Sequence, residues 1–448
     1  MKFSPALYAS RFNGGRLFAV FLIMLIAQTA DTTIGSLADI LKDFTSSFWG
    51  VSLFISISIA YGFGQFFILG MVKAKNKEKE IRRNHFNILE KIVTIVQYVL
   101  LTIMVFVVLQ ILFSFEYNTI LLNIAVVVSG GLTVYIMGLL SYSLLSWFRI
   151  SRAPIVLLYG MAAAMIAINI IAVAVIFNTV LKEKPTIVTP QSNVVFPVPG
   201  TVVKLFNTVQ TISWTISFLL IWGGTILLLY HNVHRIGKVK FWVLVSTPVI
   251  LFSSFNLSFY QSILGPVPIG ADPIMAIVVP LLLIEITGII SIILIGVGFR
   301  SVAKALSHTP LMGDYMMITA YGFVLFYIST TTTIAGTGYP PFGLANVLLY
   351  GPFSFLVLDG LYRSAICISE DVKLRKSINT LAKRESKLLD ITASAEIQRE
   401  IQNKVMTTIK ANAEILEQQS GVEPSLTDEE IRDHLEIVTR ELKKQKIP

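Results

Sequence analysis

Long apolar runs separated by short polar ones set the outline of this chain. Ten runs occur, at 17–37, 48–72, 90–113, 119–147, 155–180, 206–230, 241–264, 273–299, 315–336 and 342–365. A hydrocarbon core about 30 Å thick takes roughly 20 residues of helix at 1.5 Å each, so every run is long enough to cross it. The pattern predicts an all-α protein: a polytopic membrane helix bundle of about ten transmembrane helices. The first run is long, lacks a small-residue cleavage pattern and follows a 16-residue amphiphilic segment, so it reads as a retained span. Residues 1–16 are then a cytoplasmic N-terminal segment, 17–365 the membrane domain and 366–448 a cytoplasmic helical tail.

After residue 365 the period changes. From Ser369 the chain holds no Gly or Pro until Gly421 and Pro424, and its composition is strongly helical. Leu374, Ile378, Leu381 and Leu388 recur at near-heptad spacing, the mark of a marginal coiled coil. Ile397, Ile401, Val405, Ile409, Ala413 and Leu416 then form a firm apolar stripe. Gly421 suits the end of a helix that runs to about 420, and Thr427 with Glu430 forms a capping box for a second helix over 427–444. That helix carries Ile431, Leu435, Val438 and Leu442 on one face. Two such stripes are too small a core alone, and pairing with a second copy completes a four-helix bundle.

Charge supports this division. Residues 366–448 hold 15 of the 27 carboxylates and 14 of the 36 Lys and Arg, leaving the membrane part sparse in charge and net basic. Placing both termini in the cytoplasm puts 18 of the 22 remaining basic residues inside, among them the loop KAKNKEKEIRRN. Only Lys42, Lys182, Lys184 and Lys204 fall outside, as the positive-inside rule requires. A composition 54% hydrophobic and 14% charged, with a mean hydropathy of +0.71, excludes a single soluble core. The outside loop Leu181–Val203, rich in Pro and β-branched residues, reads as an extended lid or small cap, with a plain connector the commoner role.

Chemistry inside the spans is thin. Glu285 lies mid-run in VVPLLLIEITGIISIIL, between Pro280 and Gly288, and Asp31 sits among Gln28, Thr29, Thr32 and Thr33 toward the outer end of the first run. An ionisable group in a membrane is expensive, which makes both candidates for an intramembrane ion or proton site. Two plainer readings stand beside these: a protonated Glu285 bonded to a neighbouring helix, and an Asp31 at a solvated helix end. Asp359 and Arg363, four apart, predict a structural ion pair on one helical face. Gly62, Gly64, Gly130, Gly131, Gly138, Gly223 and Gly224 are read as packing or bending points, and SSFNLSFYQS and ISTTTTIAG as polar stretches able to line a pocket. His231 and His234 are three apart but lack a third metal ligand, and the single Cys367 forms no intrachain disulfide. No catalytic set, phosphate loop or cofactor motif emerges, so the chain reads as a non-enzyme without a cofactor or nucleic-acid partner.

One resemblance adds to this reading. The stretch IKANAEIL, Ile409 to Leu416, then a turn, then EEIRDHLEIVTREL, Glu429 to Leu442, resembles the dimerisation and phosphoacceptor hairpin of sensor histidine kinases. In register with that family, Ala413, Glu414, Ile415 and Leu416 match its packing positions. Glu400 stands where the phosphorylated histidine belongs, Val405 where the proline does, and Ala411 where the glycine does. The resemblance implies a hairpin that dimerises without accepting phosphate, and no ATP-binding domain follows before Pro448. A generic coiled-coil tail is the alternative.

The expected function is a receptor or signalling adaptor in a prokaryotic plasma membrane. Its partners would be the bilayer, a second copy bound through the tail and a cytoplasmic signalling protein. A secondary transporter with five-plus-five inverted halves is the competing expectation.

Overall fold

The structure, a computed structural model, describes residues 14–38, 41–78, 84–182, 185–190, 201–231, 233–253, 273–305, 310–331, 338–364 and 407–408. These form α1 (Gly14–Ser36), α2 (Lys42–Thr45), α3 (Phe48–Glu78), α4 (Asn84–Ser114), β1 (Tyr117–Asn118), α5 (Thr119–Ser151), α6 (Pro154–Lys182), β2 (Ile187–Val188), α7 (Thr201–His231), α8 (Val233–Ile236), α9 (Lys238–Ser253), α10 (Pro273–Ala305), α11 (Pro310–Thr331) and α12 (Leu344–Leu348). A last helix, α13, covers residues 350–364.

Seven of these helices are long and apolar enough to cross a membrane: Phe18–Ser36, Phe48–Ile68, Ile88–Ser114, Thr119–Ile150, Pro154–Lys182, Thr201–Tyr230 and Glu285–Lys304. They match seven of the ten expected spans. The other three expected spans fall on α9, α11 and the α12–α13 pair. Large apolar side chains stand open on the helix surfaces, among them Phe63, Phe113 and Ile150, each more than three-quarters exposed. Apolar surface of that extent is unstable against water and matches lipid.

The chain divides into two compact units. One comprises Met1–Met71 with Leu89–Tyr362 and holds the helical bundle; the other comprises Val72–Ile88 with Arg363–Pro448. In the second, the described residues are the adjoining ends of α3, α4 and α13 and the helical pair Thr407 and Thr408. The expected coiled coil, the stripe from Ile397 to Leu442 and Glu400 all lie outside the described residues.

Within the bundle, consecutive helices pack as hairpins. α5 and α6 are joined by only Arg152 and Ala153, with Arg152 at φ 49° closing the C-terminus of α5 through its N–H to the Phe148 carbonyl. At the far end of that hairpin, β1 pairs antiparallel with β2, Tyr117 opposite Val188 and Asn118 opposite Ile187. Within the 181–203 loop, Ile187–Val188 is extended and pairs with the two residues that precede α5, while residues 183–184 and 191–200 lie outside the described residues.

One segment occupies the interior. Every residue from Tyr339 to Leu361 is buried, although this stretch leads into the charged tail. Phe54 of α3 meets Phe342 edge to face at 5.6 Å. The Tyr339 hydroxyl donates to the Ile111 carbonyl of α4 at 3.4 Å, and the Ser129 hydroxyl of α5 donates to the Val347 carbonyl at 2.6 Å. The expected tenth span is not one continuous helix. α12 ends at Leu348 and α13 restarts at Tyr350 because Pro352 has no N–H for the Leu348 carbonyl and its ring crowds that oxygen.

Glycine lets α13 seat against α11. A Cβ on Gly360 would come 2.7 Å from the Thr319 backbone nitrogen and 2.9 Å from the Tyr315 carbonyl oxygen, and one on Gly322 would come 3.1 Å from the Val357 nitrogen. Among the glycines picked out in the sequence, Gly64 fits against Met24 and Gly224 against Tyr159, whereas Gly131 and Gly138 face open space. The expected outcome for Gly360→Ala is a loss of about 1–3 kcal/mol, because backbone must move to admit the methyl. Gly131→Ala is neutral or stabilises by up to about 1 kcal/mol through helix propensity. Thermal unfolding of both variants in detergent checks the contrast, and equal melting temperatures would refute it.

Candidate functional site

The site is built where α1 meets α12. The sequence GGRLFAVFLIMLIAQTADTTIGS forms a helix whose C-terminal half is polar, and Gln28, Asp31 and Thr32 fall on one face of it. That face is turned inward: Asp31 and Thr32 are 0% exposed and Gln28 is 2% exposed. Asp31 is therefore not at a solvated helix end. Its carboxylate reaches across to the chain entering α12, where Oδ1 accepts the Gly343 N–H at 2.8 Å and Oδ2 the Asn346 N–H at 3.2 Å.

This is an N-terminal cap supplied from another helix. Gly343 precedes α12 at φ 92°, a left-handed conformation that carries no penalty for glycine. It has no side chain of its own to cap the helix, and a carboxylate from α1 satisfies two of the orphan backbone donors instead. A charged acceptor makes such bonds stronger than neutral ones. Gly35 of α1 allows the approach, its Cβ position lying 3.4 Å from the Phe342 backbone.

Two amides complete the cluster. Asn346 Nδ2 donates to the Gln28 carbonyl at 3.1 Å and to Thr32 Oγ1 at 2.8 Å. Gln28 Nε2 donates to Ser329 Oγ at 2.5 Å and to the Leu325 carbonyl at 3.3 Å, while the Ser329 hydroxyl gives its own proton to Leu325. Both amide nitrogens thus face acceptors, which fixes both amide orientations. Gln28 Oε1 and Asn346 Oδ1 are left buried with no hydrogen-bond partner.

A second group of unmet polar atoms lies between α3, α4 and α13. Gln65 Nε2 donates to the Gln97 carbonyl at 3.5 Å, and Gln97 Nε2 sits 3.4 Å from the Cβ position of Gly351. Both amide atoms of Gln97, together with Gln65 Oε1 and the hydroxyls of Tyr61 and Tyr350, are buried without partners. Buried polar atoms of this kind are rare enough to call for an occupant or a purpose.

Glu285 reaches the other flank of the same helix. Its Oε1 accepts from the Ser36 hydroxyl at 3.1 Å, and Thr33 bonds the same carboxyl. α1 thus contacts both sequence-predicted acids within six residues, Asp31 facing α12 and Glu285 arriving from α10. Asp359 and Arg363 are both buried, at 1% and 7% exposure, on successive turns of α13. Of the two polar stretches, ISTTTTIAG contributes Ser329 to the cluster, and SSFNLSFYQS, apart from Ser253 at the end of α9, lies outside the described residues. Among the described residues no three of His, Cys, Asp and Glu gather to hold a metal. An apolar void lined by Phe218, Ile221, Ile292 and Tyr327 has room for no more than about one water and no polar group to hold it.

Sequence reading identified Asp31 and Glu285 but missed Gln28, Thr32, Asn346, Gln65 and Gln97 as a set. Glutamine and asparagine in a long apolar run carry a signal, since each needs a partner in lipid. The pairing across more than 300 residues has no sequence signature.

No protein-family model, curated protein or solved structure matches the chain. The fold and the buried polar interior define the class: a multi-pass integral membrane protein in which, among the described residues, seven helices are long and apolar enough to span.

For Asp31→Leu the expected outcome is a loss of about 2–4 kcal/mol, because two buried N–H groups lose their acceptor. Asp31→Asn, which keeps one acceptor oxygen, costs about half that. Thermal unfolding in detergent reads both, and a Leu variant as stable as wild type would overturn the capping role.

Proposed function

We propose that this protein is a membrane receptor or signalling adaptor with about ten spans and both termini in the cytoplasm, whose α12–α13 segment relays a change at the α1 site to the tail. The observation that carries this reading is the burial of α13. The helix nearest the charged tail in sequence is enclosed along nearly its whole length, and α12, one residue upstream of it, is held at its start by the Asp31 carboxylate. A side chain that caps one end of an interior helix has leverage on that helix. The interruption at Leu348–Tyr350 breaks the hydrogen-bond ladder of the segment, and it is the joint on which the proposed relay turns, since signalling needs a bistable element. The tail pattern, with its unphosphorylatable Glu400 and paired stripes, fits a dimerising output module that works by recruitment rather than by catalysis.

Transport is a second reading, favoured by the Ser36–Glu285 bond. The buried Asp31 on one flank of α1 and the half-buried Glu285 on the other offer two stations for a proton or cation, and the broken α12–α13 segment resembles the interrupted helices of transporters.

Three outcomes follow. Deleting residues 380–448 leaves a folded, inserted protein that is monomeric by light scattering in detergent; a truncated protein that stays dimeric contradicts the tail's role. A spin label on Cys367, the single cysteine, changes mobility in Asp31→Asn; an unchanged spectrum in a folded variant removes the relay. Under the transport reading, Glu285→Gln abolishes ion-coupled uptake in proteoliposomes, and undiminished uptake removes Glu285 from the pathway.

A further inference from the structure

We infer that the junction of α1, α11 and α12 binds one alkali-metal cation, with the Asp31 carboxylate as its counter-charge and Gln28 Oε1 and Asn346 Oδ1 as neutral oxygen ligands. The inference rests on the receptor reading for its purpose, naming what is sensed, and on the geometry for its chemistry.

The first premise is the kind of valence left unfilled. Every amide N–H drawn to this junction is spent: Asn346 Nδ2 on the Gln28 carbonyl and Thr32, Gln28 Nε2 on Ser329 and the Leu325 carbonyl. What remains is acceptor only, Gln28 Oε1 and Asn346 Oδ1, both buried and without a donor. Exchanging oxygen and nitrogen in either amide would set an oxygen against a carbonyl, so the excess of acceptors is not a matter of assignment. Each carboxylate oxygen of Asp31 has taken one N–H and keeps a lone pair. An oxygen-only set of carboxylate and amide groups is the donor set that hard cations take.

The second premise is charge. A carboxylate at 0% exposure with no cation beside it among the described residues is costly in a low dielectric. The chain has no Lys or Arg between Arg16 and Lys42, nor between Lys304 and Arg363, so the segments that build the junction bring none. Arg300 lies 5.2 Å over the ring of Phe18, about 20 Å of helix away from Asp31. One carboxylate balances one positive charge. A divalent ion would leave an uncompensated charge among neutral groups, which selects a monovalent ion.

The third premise is position. The ligands come from α1 and from α12 itself, with α11 orienting Gln28, so an ion here would tie together the elements that seat the interior helix. Its loss would leave Asp31 as cap alone, which couples occupancy to the position of α12.

The test uses the full chain in detergent or nanodiscs. Binding is read as saturable ²²Na⁺ retention and as the melting temperature in sodium or potassium chloride against choline chloride at equal ionic strength. The expected result is saturable binding, and a higher melting temperature in at least one alkali chloride than in choline. Asp31→Asn abolishes the binding, and Gln28→Met, which removes Oε1 without changing charge, weakens it at least tenfold. Each variant's melting temperature in choline chloride separates ion loss from failure to fold. Equal melting temperatures in all three salts with no saturable retention overturn the site, as does undiminished binding in a folded Asp31→Asn. Because retention is measured without reference to the tail, a negative result leaves the relay to the Cys367 label, and an immobile label leaves the ion site standing.

Discussion

Two hydrogen bonds from one carboxylate set the arrangement of the bundle interior. Asp31 reaches from α1 to the N–H groups of Gly343 and Asn346, and without it the helix that follows would start in an apolar interior with bare donors. Water cannot substitute in a membrane, where each open backbone group costs several kcal/mol. The position of α12 fixes α13 one residue later, and α13 in turn is what α11 packs against through Gly322 and Gly360. A short polar contact at one end thus determines the seating of a segment buried from Tyr339 to Leu361.

The polar groups inside this protein divide by how completely they are satisfied. Ser129, Thr133 and Thr225 give their hydroxyl protons to a backbone carbonyl and need nothing further. The amides of Gln28, Asn346, Gln65 and Gln97 have at least one atom left over. Hydroxyls serve packing at low cost because one bond to a helix carbonyl settles them. Amides carry more capacity than one neighbour can meet, so their presence beside the helix joint marks where the interior is built for more than cohesion.

Much of this was legible beforehand, and the failures are instructive. Seven spans stand where apolar run length places them, since length against bilayer thickness is a local property. The short strand at Ile187–Val188 follows from β-branched residues beside proline. Asp31 stands out in the sequence by its cost, yet its burial does not, because proximity to the end of an apolar run does not reveal that another segment folds over it. The break near Leu349 was missed although Pro352 stands in plain view. The run was long enough to span without interruption, and hydropathy is blind to which carbonyl loses its partner. The cluster of Gln28 with Ser329 and Asn346 depends on contacts between the first and last parts of the chain, which no local pattern encodes.

The α5–α6 hairpin carries a consequence for biosynthesis. Its two long helices are joined by Arg152 and Ala153 at one end and clasped by the pairing of β1 with β2 at the other. A linker of two residues brings the second helix against the first as soon as it has formed. The far end of the pair is latched only after Ile187 and Val188 have left the ribosome. The order in which this protein assembles is therefore constrained at its middle, well before the segment that will fill its centre has been made.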